Sequence, residues 1–171
     1  MQLAEPEELI LEEFIKRVAG EEGLIIFHNA LSREFTDEEI SIKTGLDLNS
    51  ARRALFALYE SGLAEYRREK DEDSGWLTYY WKIIPEKGKA VLKRELEKAK
   101  RNFKLKIEFE SSNMFYYCKN GCGKILFEDA MSFNFVCPNC GSSLDFVDNT
   151  KLLEFLEEEI QKIDNMLKSL M

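Results

Sequence analysis

The chain has 171 residues, 44% of them hydrophobic, with 24 basic and 32 acidic side chains and a net charge of −8. That length suits two small domains, and the apolar share is enough for packed cores, which excludes wholesale disorder. An acidic balance argues against an autonomous duplex binder, whose affinity comes largely from neutralised phosphates, and favours partners with basic surfaces.

No apolar run approaches the roughly 20 residues that span a bilayer. Glu5, Glu7, Glu8, Glu12 and Glu13 stand where a secretory signal would carry positive charge. The expected location is the cytoplasm or nucleus, with no membrane association. Thiols stay reduced there, so four cysteines read as metal ligands before they read as disulfides. The charge is unevenly spread. Residues 1–90 hold 12 basic and 19 acidic groups, residues 91–111 hold 7 and 4, and residues 112–171 hold 5 and 9. A short basic connector separates two acidic modules.

Leu9, Ile10, Phe14, Ile15 and Val18 recur at helical spacing, which predicts a helix over 5–19 that stops at Gly20. Leu24–Leu31 reads as a second, largely buried helix. Its His28 reads as a satisfied core or boundary histidine, since nothing nearby has metal-ligand spacing. Thr36 followed by Glu39 is a capping box that opens a short helix ending near Gly45. Asp47 caps the next helix, Leu48–Ser61, which Gly62 terminates and whose core face includes Leu48, Leu55 and Leu58. Two short helices around a tight turn form a helix-turn-helix. Leu63–Lys70 and Trp76–Ile84 read as strands on either side of the loop signal Asp71–Gly75. Helices followed by such a hairpin give a winged helix over residues 1–85.

Pro85 opens a charged helix with Val91, Leu92, Leu96, Ala99 and Phe103 on one side. From Lys104 to Glu110 polar and apolar residues alternate, which reads as a strand. Residues 86–111 are therefore expected to be a helix-and-strand linker. The cysteines follow with the spacing C-x3-C-x14-C-x2-C: Cys118, Cys122, Cys137 and Cys140. Each pair sits in a glycine-containing turn. Expected strands at Met114–Tyr117, Lys124–Phe127, Phe133–Val136 and Ser143–Val147 flank them. Residues 112–148 thus read as a zinc ribbon holding one structural Zn²⁺. Four thiolates close the coordination shell and leave no position for substrate, so the ion holds the fold. Iron in the same four-sulfur geometry, a redox pair and unligated cysteines are the rival readings. The overall expectation is an α+β chain.

After Asp148, Leu153, Leu156, Ile160, Ile163, Leu167 and Leu170 step by three and four, the seam of an amphipathic helix over 149–171. Such a seam docks on a partner, pairs with another copy, or packs at home.

Two surfaces are candidates for partners. Asn49, Ser50, Arg52 and Arg53 lie where a DNA-reading winged helix enters the major groove, with Arg67 and Arg68 on the adjoining strand. The acidic wing tip Asp71-Glu72-Asp73 opposes phosphate. Trp76, Tyr79, Tyr80 and Trp81 crowd into six residues. Alternation puts Trp76 and Tyr80 on one face and Tyr79 and Trp81 on the other. Either one face exposes anchors for a protein or for single-stranded bases, or both faces are covered. No phosphate loop and no nucleophilic constellation stands out, so the chain does not read as an enzyme.

Taken together, these features resemble transcription factor E of archaea, the counterpart of the alpha subunit of the eukaryotic factor TFIIE. The resemblance rests on the order winged helix, charged linker, zinc ribbon. Locally it rests on Phe115-Tyr116-Tyr117-Cys118, Phe127-Glu128-Asp129-Ala130-Met131 and Phe135-Val136-Cys137-Pro138-Asn139-Cys140-Gly141. It implies a monomeric basal factor that joins the preinitiation complex with the TATA-binding protein and factor B. Such a factor binds the clamp and stalk region of RNA polymerase, lies near the non-template strand of promoter DNA, and assists promoter opening and open-complex stabilisation. It also places Trp76, Tyr79, Tyr80 and Trp81 on the wing implicated in polymerase contacts. The x3 spacing of the first cysteine pair departs from the commoner x2. The alternative is a sequence-specific winged-helix DNA-binding regulator with a zinc ribbon.

Overall fold

The computed structural model describes residues 5–30, 33–73 and 75–170; Leu31 and Ser74 lie outside them. The chain divides into two compact units, Met1–Glu95 with Leu170, and Leu96–Ser169 with Met171. Each is an α+β unit with its own three-stranded antiparallel sheet.

In the first unit, α1 (Glu5–Asn29) is broken at Gly20, whose φ of 72° and ψ of −177° no L-residue holds comfortably. The helix resumes at once, so the expected gap of several residues is a one-residue break. Leu11 and Ile15 supply the buried face before the break and Ile26 after it, while Leu9 and Val18 are exposed. β1 (Phe35–Thr36) is followed by α2 (Asp37–Thr44) and α3 (Leu48–Ser61). Both halves of the capping box form: Thr36 Oγ1 accepts from the Glu39 amide at 3.2 Å, and Glu39 accepts from the Thr36 amide at 3.0 Å. Asp47 accepts from the Ser50 amide at 3.0 Å, and α2 and α3 end on left-handed Gly45 and Gly62. α1 packs along α3, which buries Ala51, Ala54, Leu55 and Leu58; Leu48 is only half-buried.

The wing is the hairpin of β2 (Ala64–Lys70) and β3 (Leu77–Ile83), with Tyr66 opposite Trp81 and Arg67 opposite Tyr80. β1 adds to the other edge of β3, with Phe35 opposite Trp81, which gives the order β1-β3-β2. Neither Phe35 nor Thr36 signals a strand by itself. A two-residue strand has no periodicity to read, and only its pairing defines it.

A short 3-10 turn (Pro85–Lys87) leads into α4 (Gly88–Ser112). The helix runs unbroken through Lys104–Glu110, so the strand expected there does not exist. The alternation of charge and apolarity is coincidental: Leu105 and Phe109 point to solvent, while Glu110 is buried and Ile107 half-buried. Lys, Glu and Leu are moreover strong helix formers.

In the second unit, β4 (Phe115–Cys118) is the central strand between β5 (Lys124–Leu126) and β6 (Leu144–Phe146). α5 (Phe127–Ser132) follows β5 directly. The strand expected at Phe133–Val136 is replaced by a loop in which Asn134 (φ 49°) and Phe135 (φ 56°) are left-handed. Only Val136 keeps a bridge, to Ser143. A strand needs extended backbone at every residue, and two consecutive left-handed ones forbid it.

α6 (Thr150–Ser169) turns its seam inward. Leu156 and Ile163 are buried, and Leu153, Ile160 and Leu167 are half-buried. Lys100 of α4 pairs with Asp164, and Asn149 Nδ2 donates to the Glu110 carbonyl at 2.7 Å. One ion pair and one hydrogen bond thus tie the tail to the Leu96–Ser112 part of α4.

Candidate functional site

The two cysteine pairs sit in loops of parallel construction. In the first, the Cys118 amide donates to Gly123 O at 3.1 Å and the Gly121 amide to Cys118 O at 2.9 Å. In the second, the Cys137 amide donates to Ser142 O at 2.7 Å and the Gly141 amide to Cys137 O at 2.9 Å. The extra residue of the first loop is absorbed at Gly121, whose φ of 77° is left-handed. Asn120 of the same loop also has a use. Asn120 Nδ2 reaches across to Ser142 Oγ at 2.8 Å and lies 3.7 Å from Cys140 Sγ.

All four Sγ atoms lie within 4.8 Å of one another, with Cys118 and Cys137 buried and Cys122 and Cys140 exposed. A tetrahedral ion with sulfur at about 2.3 Å needs sulfur–sulfur spacings of about 3.8 Å, so the donor set fits one such ion. The electrostatics agree. The Ser142 backbone amide and the neighbouring thiols draw the Cys140 thiol down to about 6. The Cys140 and Cys118 sulfurs push Cys122 up to about 12. Four thiolates cannot share this volume without a cation among them.

Around the sulfurs the ribbon has little else to hold it. Its buried cluster is Cys118, Ala130, Cys137 and Leu144, with Tyr116 and Ile125 packed on it. A charged hub, which the sequence reading missed, ties the ribbon to α4. Glu110 is 1% exposed. It accepts from Lys124 Nζ at 2.6 and 2.9 Å and from Asn149 Nδ2 at 3.3 Å, and pairs with Lys106 at 2.8 Å. Burial opposes ionisation of this carboxyl, yet the hydrogen bonds from Lys106, Lys124 and Asn149 hold it down at about 2. Lys124 also stands 3.7 Å over the Phe115 ring. No signal in the sequence separates Glu110 from the chain's other carboxylates; it took the helical reading of Lys104–Glu110 to turn it inward.

The wing residues divide. Trp81 is 1% exposed and belongs to the core, not to a contact surface. It packs edge-on to Phe56 at 5.0 Å and against Tyr66 at 5.1 Å, and its Nε1 has no acceptor among the described residues. Tyr79 is half-buried beside it. Tyr80, on the opposite face, is half-buried with the Arg67 guanidinium 4.3 Å from its ring centroid. Of the four, only Trp76, just before β3, is largely exposed, at 76%. It borders an open groove of about 380 Å³ together with Phe56, Tyr79, Asp37, Glu38 and Arg52.

Three of the four candidate arginines are engaged. Arg52 pairs with Asp37 and with Glu38 at 3.4 Å. Arg53 donates to Ser50 Oγ at 2.9 Å, and Arg67 pairs with Glu34 at 2.7 Å and with Glu69. Arg68 is exposed. His28 is an exposed boundary residue paired with Glu12 at 2.9 Å. None of the helices is long and apolar enough to cross a membrane, among the described residues.

The family model of the TFIIE alpha subunit matches residues 9–112. Transcription factor E of Archaeoglobus fulgidus is 48% identical over 163 residues, 95% of this chain and 92% of that protein. The proteins of the same name from Methanothrix thermoacetophila and Methanosarcina acetivorans are each 40% identical, over 91% and 92% of this chain and 93% and 94% of theirs. The chain belongs to this family of non-enzymatic transcription initiation factors, transcription factor E and the TFIIE alpha subunit.

Proposed function

We propose that this initiation factor binds RNA polymerase in the preinitiation complex, in the clamp and stalk region, and assists promoter opening and open-complex stabilisation. It works there beside the TATA-binding protein and factor B, near the non-template strand, as a monomer in the archaeal cytoplasm. The observation that carries the reading is the nearly full-length likeness to archaeal transcription factor E. The surface of the helix-turn-helix supports it. Carboxylates engage Arg52 and Arg67, and the wing tip is acidic, so the unit is poor at gripping a duplex and better suited to protein contacts.

The four cysteines hold one structural Zn²⁺. Sulfur donors on tight turns in a reducing compartment favour zinc. The bound ion supplies charge and tetrahedral geometry, and no reaction passes through it.

The test is open-complex formation on a weak promoter with purified archaeal polymerase, TATA-binding protein and factor B, read by permanganate reactivity of unpaired thymines. Adding the protein is expected to raise reactivity several-fold, and a Trp76→Ala variant to raise it less. Equal melting with and without the protein refutes the proposal.

A further inference from the structure

One asparagine side chain reaches from the first cysteine loop to a sulfur of the second. Asn120 Nδ2 donates to Ser142 Oγ at 2.8 Å and lies 3.7 Å from Cys140 Sγ, the length of a weak N–H···S hydrogen bond. An amide nitrogen carries two hydrogens, so it serves both acceptors at once. Asn120 is exposed. An asparagine so placed ordinarily gives its hydrogens to water, and here both are turned onto the opposite loop.

The acceptor decides which end of the amide faces it. A thiolate only accepts, so the nitrogen end points at Cys140. The Ser142 backbone amide faces the same sulfur. Cys140 thus meets two N–H donors, one from its own loop and one from the other.

Four thiolates overbalance a divalent ion, and the surplus charge stays on the sulfurs, where it keeps them nucleophilic. N–H donors around a ligand take up that charge and fix its orientation. Cys140 needs them more than Cys118 or Cys137, which are buried while it is exposed. Cys122, the other exposed sulfur, has only fellow thiols as hydrogen-bond partners among the described residues. The two exposed sulfurs therefore differ in protection though not in access.

We propose that Asn120 is a positioning residue of the metal centre, whose side-chain amide clasps the two cysteine loops together, slows loss of the ion and shields the Cys140 sulfur from electrophiles. This rests on the reading of the four sulfurs as a zinc site. The amide acts through Cys140 and through the Ser142 anchor, and it does not touch the ion.

The test loads full-length, reduced protein with Zn²⁺, or with Co²⁺ as a coloured probe. It compares wild type with Asn120→Ala and with Asn139→Ala. Asn139 precedes Cys140 in the second loop and makes no hydrogen bond to a sulfur among the described residues, so it controls for the loss of a loop asparagine. Asn120→Ala is expected to lower zinc affinity about 10- to 100-fold in competition with a chromophoric chelator. It is also expected to move the sulfur-to-Co²⁺ charge-transfer band to lower energy, because an unbonded thiolate gives up its electron more easily. Alkylation of Cys140 by iodoacetamide, mapped by mass spectrometry, is expected to rise about tenfold relative to Cys122. Asn139→Ala is expected to match wild type in all three.

A merely loosened loop lowers affinity and opens every sulfur alike. Weaker binding with an unmoved band and an unchanged ratio of Cys140 to Cys122 alkylation therefore refutes the proposal, as does an equal change in Asn139→Ala. If Asn120→Ala does not load, Ser142→Ala decides, since it unties the amide but leaves it near the sulfur. A smaller loss of zinc affinity is expected there, and wild-type affinity refutes the clasp. Should wild type itself hold no metal, the zinc assignment falls and this inference with it. Zinc held equally well by wild type and Asn120→Ala refutes this inference alone.

Discussion

Glu110 shows how one buried carboxylate joins elements that share little apolar contact. It lies between α4, β5 and the loop before α6, and its charge is matched by Lys106 and Lys124. Removing the charge leaves two lysines facing a neutral group in a partly desolvated place. Glu110→Gln is expected to destabilise the second unit by about 2 kcal/mol, measured by urea unfolding. The pH dependence has a definite sign. The folded carboxyl titrates near 2, below its ordinary value of 4.5. The unfolded state therefore binds the proton more readily, and the stabilisation is complete above about pH 5. It fades as pH falls from about 4.5 through 2, so the gap between wild type and Glu110→Gln closes in that window. Trp81 and Trp76 make the opposite pair. Trp81→Ala opens a cavity in the core and is expected to cost about 3–5 kcal/mol. Trp76→Ala, at a largely exposed position, is expected to cost much less, about 1 kcal/mol or under, measured by the same urea unfolding.

At the scale of the element, the ends of the helices were legible because single side chains make them. Thr36, Glu39, Asp47, Gly45 and Gly62 each do what their chemistry announces. The cysteine loops were legible for the same reason. The run Lys104–Glu110 was not, because alternation over seven residues fits a strand and a helix with two stray exposed apolar groups equally well. What decides between them is the continuation of the half-buried stripe from Leu96 through Phe103 and Ile107 to buried Glu110, and a buried glutamate does not look like part of a stripe. Phe133–Val136 failed for a different reason: its strand-like composition serves a left-handed loop. Nor does alternation tell which aromatic face of the wing the helices cover; that required Phe56, on α3, to be seen against Tyr79 and Trp81. The break in α1 at Gly20 is the sharpest element-scale case. An added Cβ there meets Glu22 Oε2 at 2.7 Å, and φ of 72° with ψ of −177° suits glycine alone. Gly20→Ala is expected to cost the first unit about 1–3 kcal/mol, seen as a lower urea midpoint with an unchanged slope.

The whole molecule joins two units that keep their shape by different physics. The first buries a continuous set of side chains from Leu11 to Leu92 and stands on ordinary hydrophobic packing. The ribbon's buried cluster has four residues, two of them cysteines of the four-sulfur set, so without an ion at the sulfurs its folded state has little to offset the entropy of ordering it. A single cooperative transition is therefore not expected. Stripping the metal with a strong chelator, at neutral pH and with reductant present, is expected to erase hydrogen-exchange protection at β4–β6 while the amides of α1 and α3 stay protected. Metal binding to small modules of this kind contributes on the order of 10 kcal/mol, so the loss is complete and not graded. Re-adding Zn²⁺ restores protection, because the ligands, the left-handed turns and the Asn120 cross-link are written into the chain. Protection that persists at β4–β6 with all four thiols free to react shows instead that Glu110, Tyr116 and Leu144 suffice to hold the ribbon, and that the sulfurs serve something other than its fold.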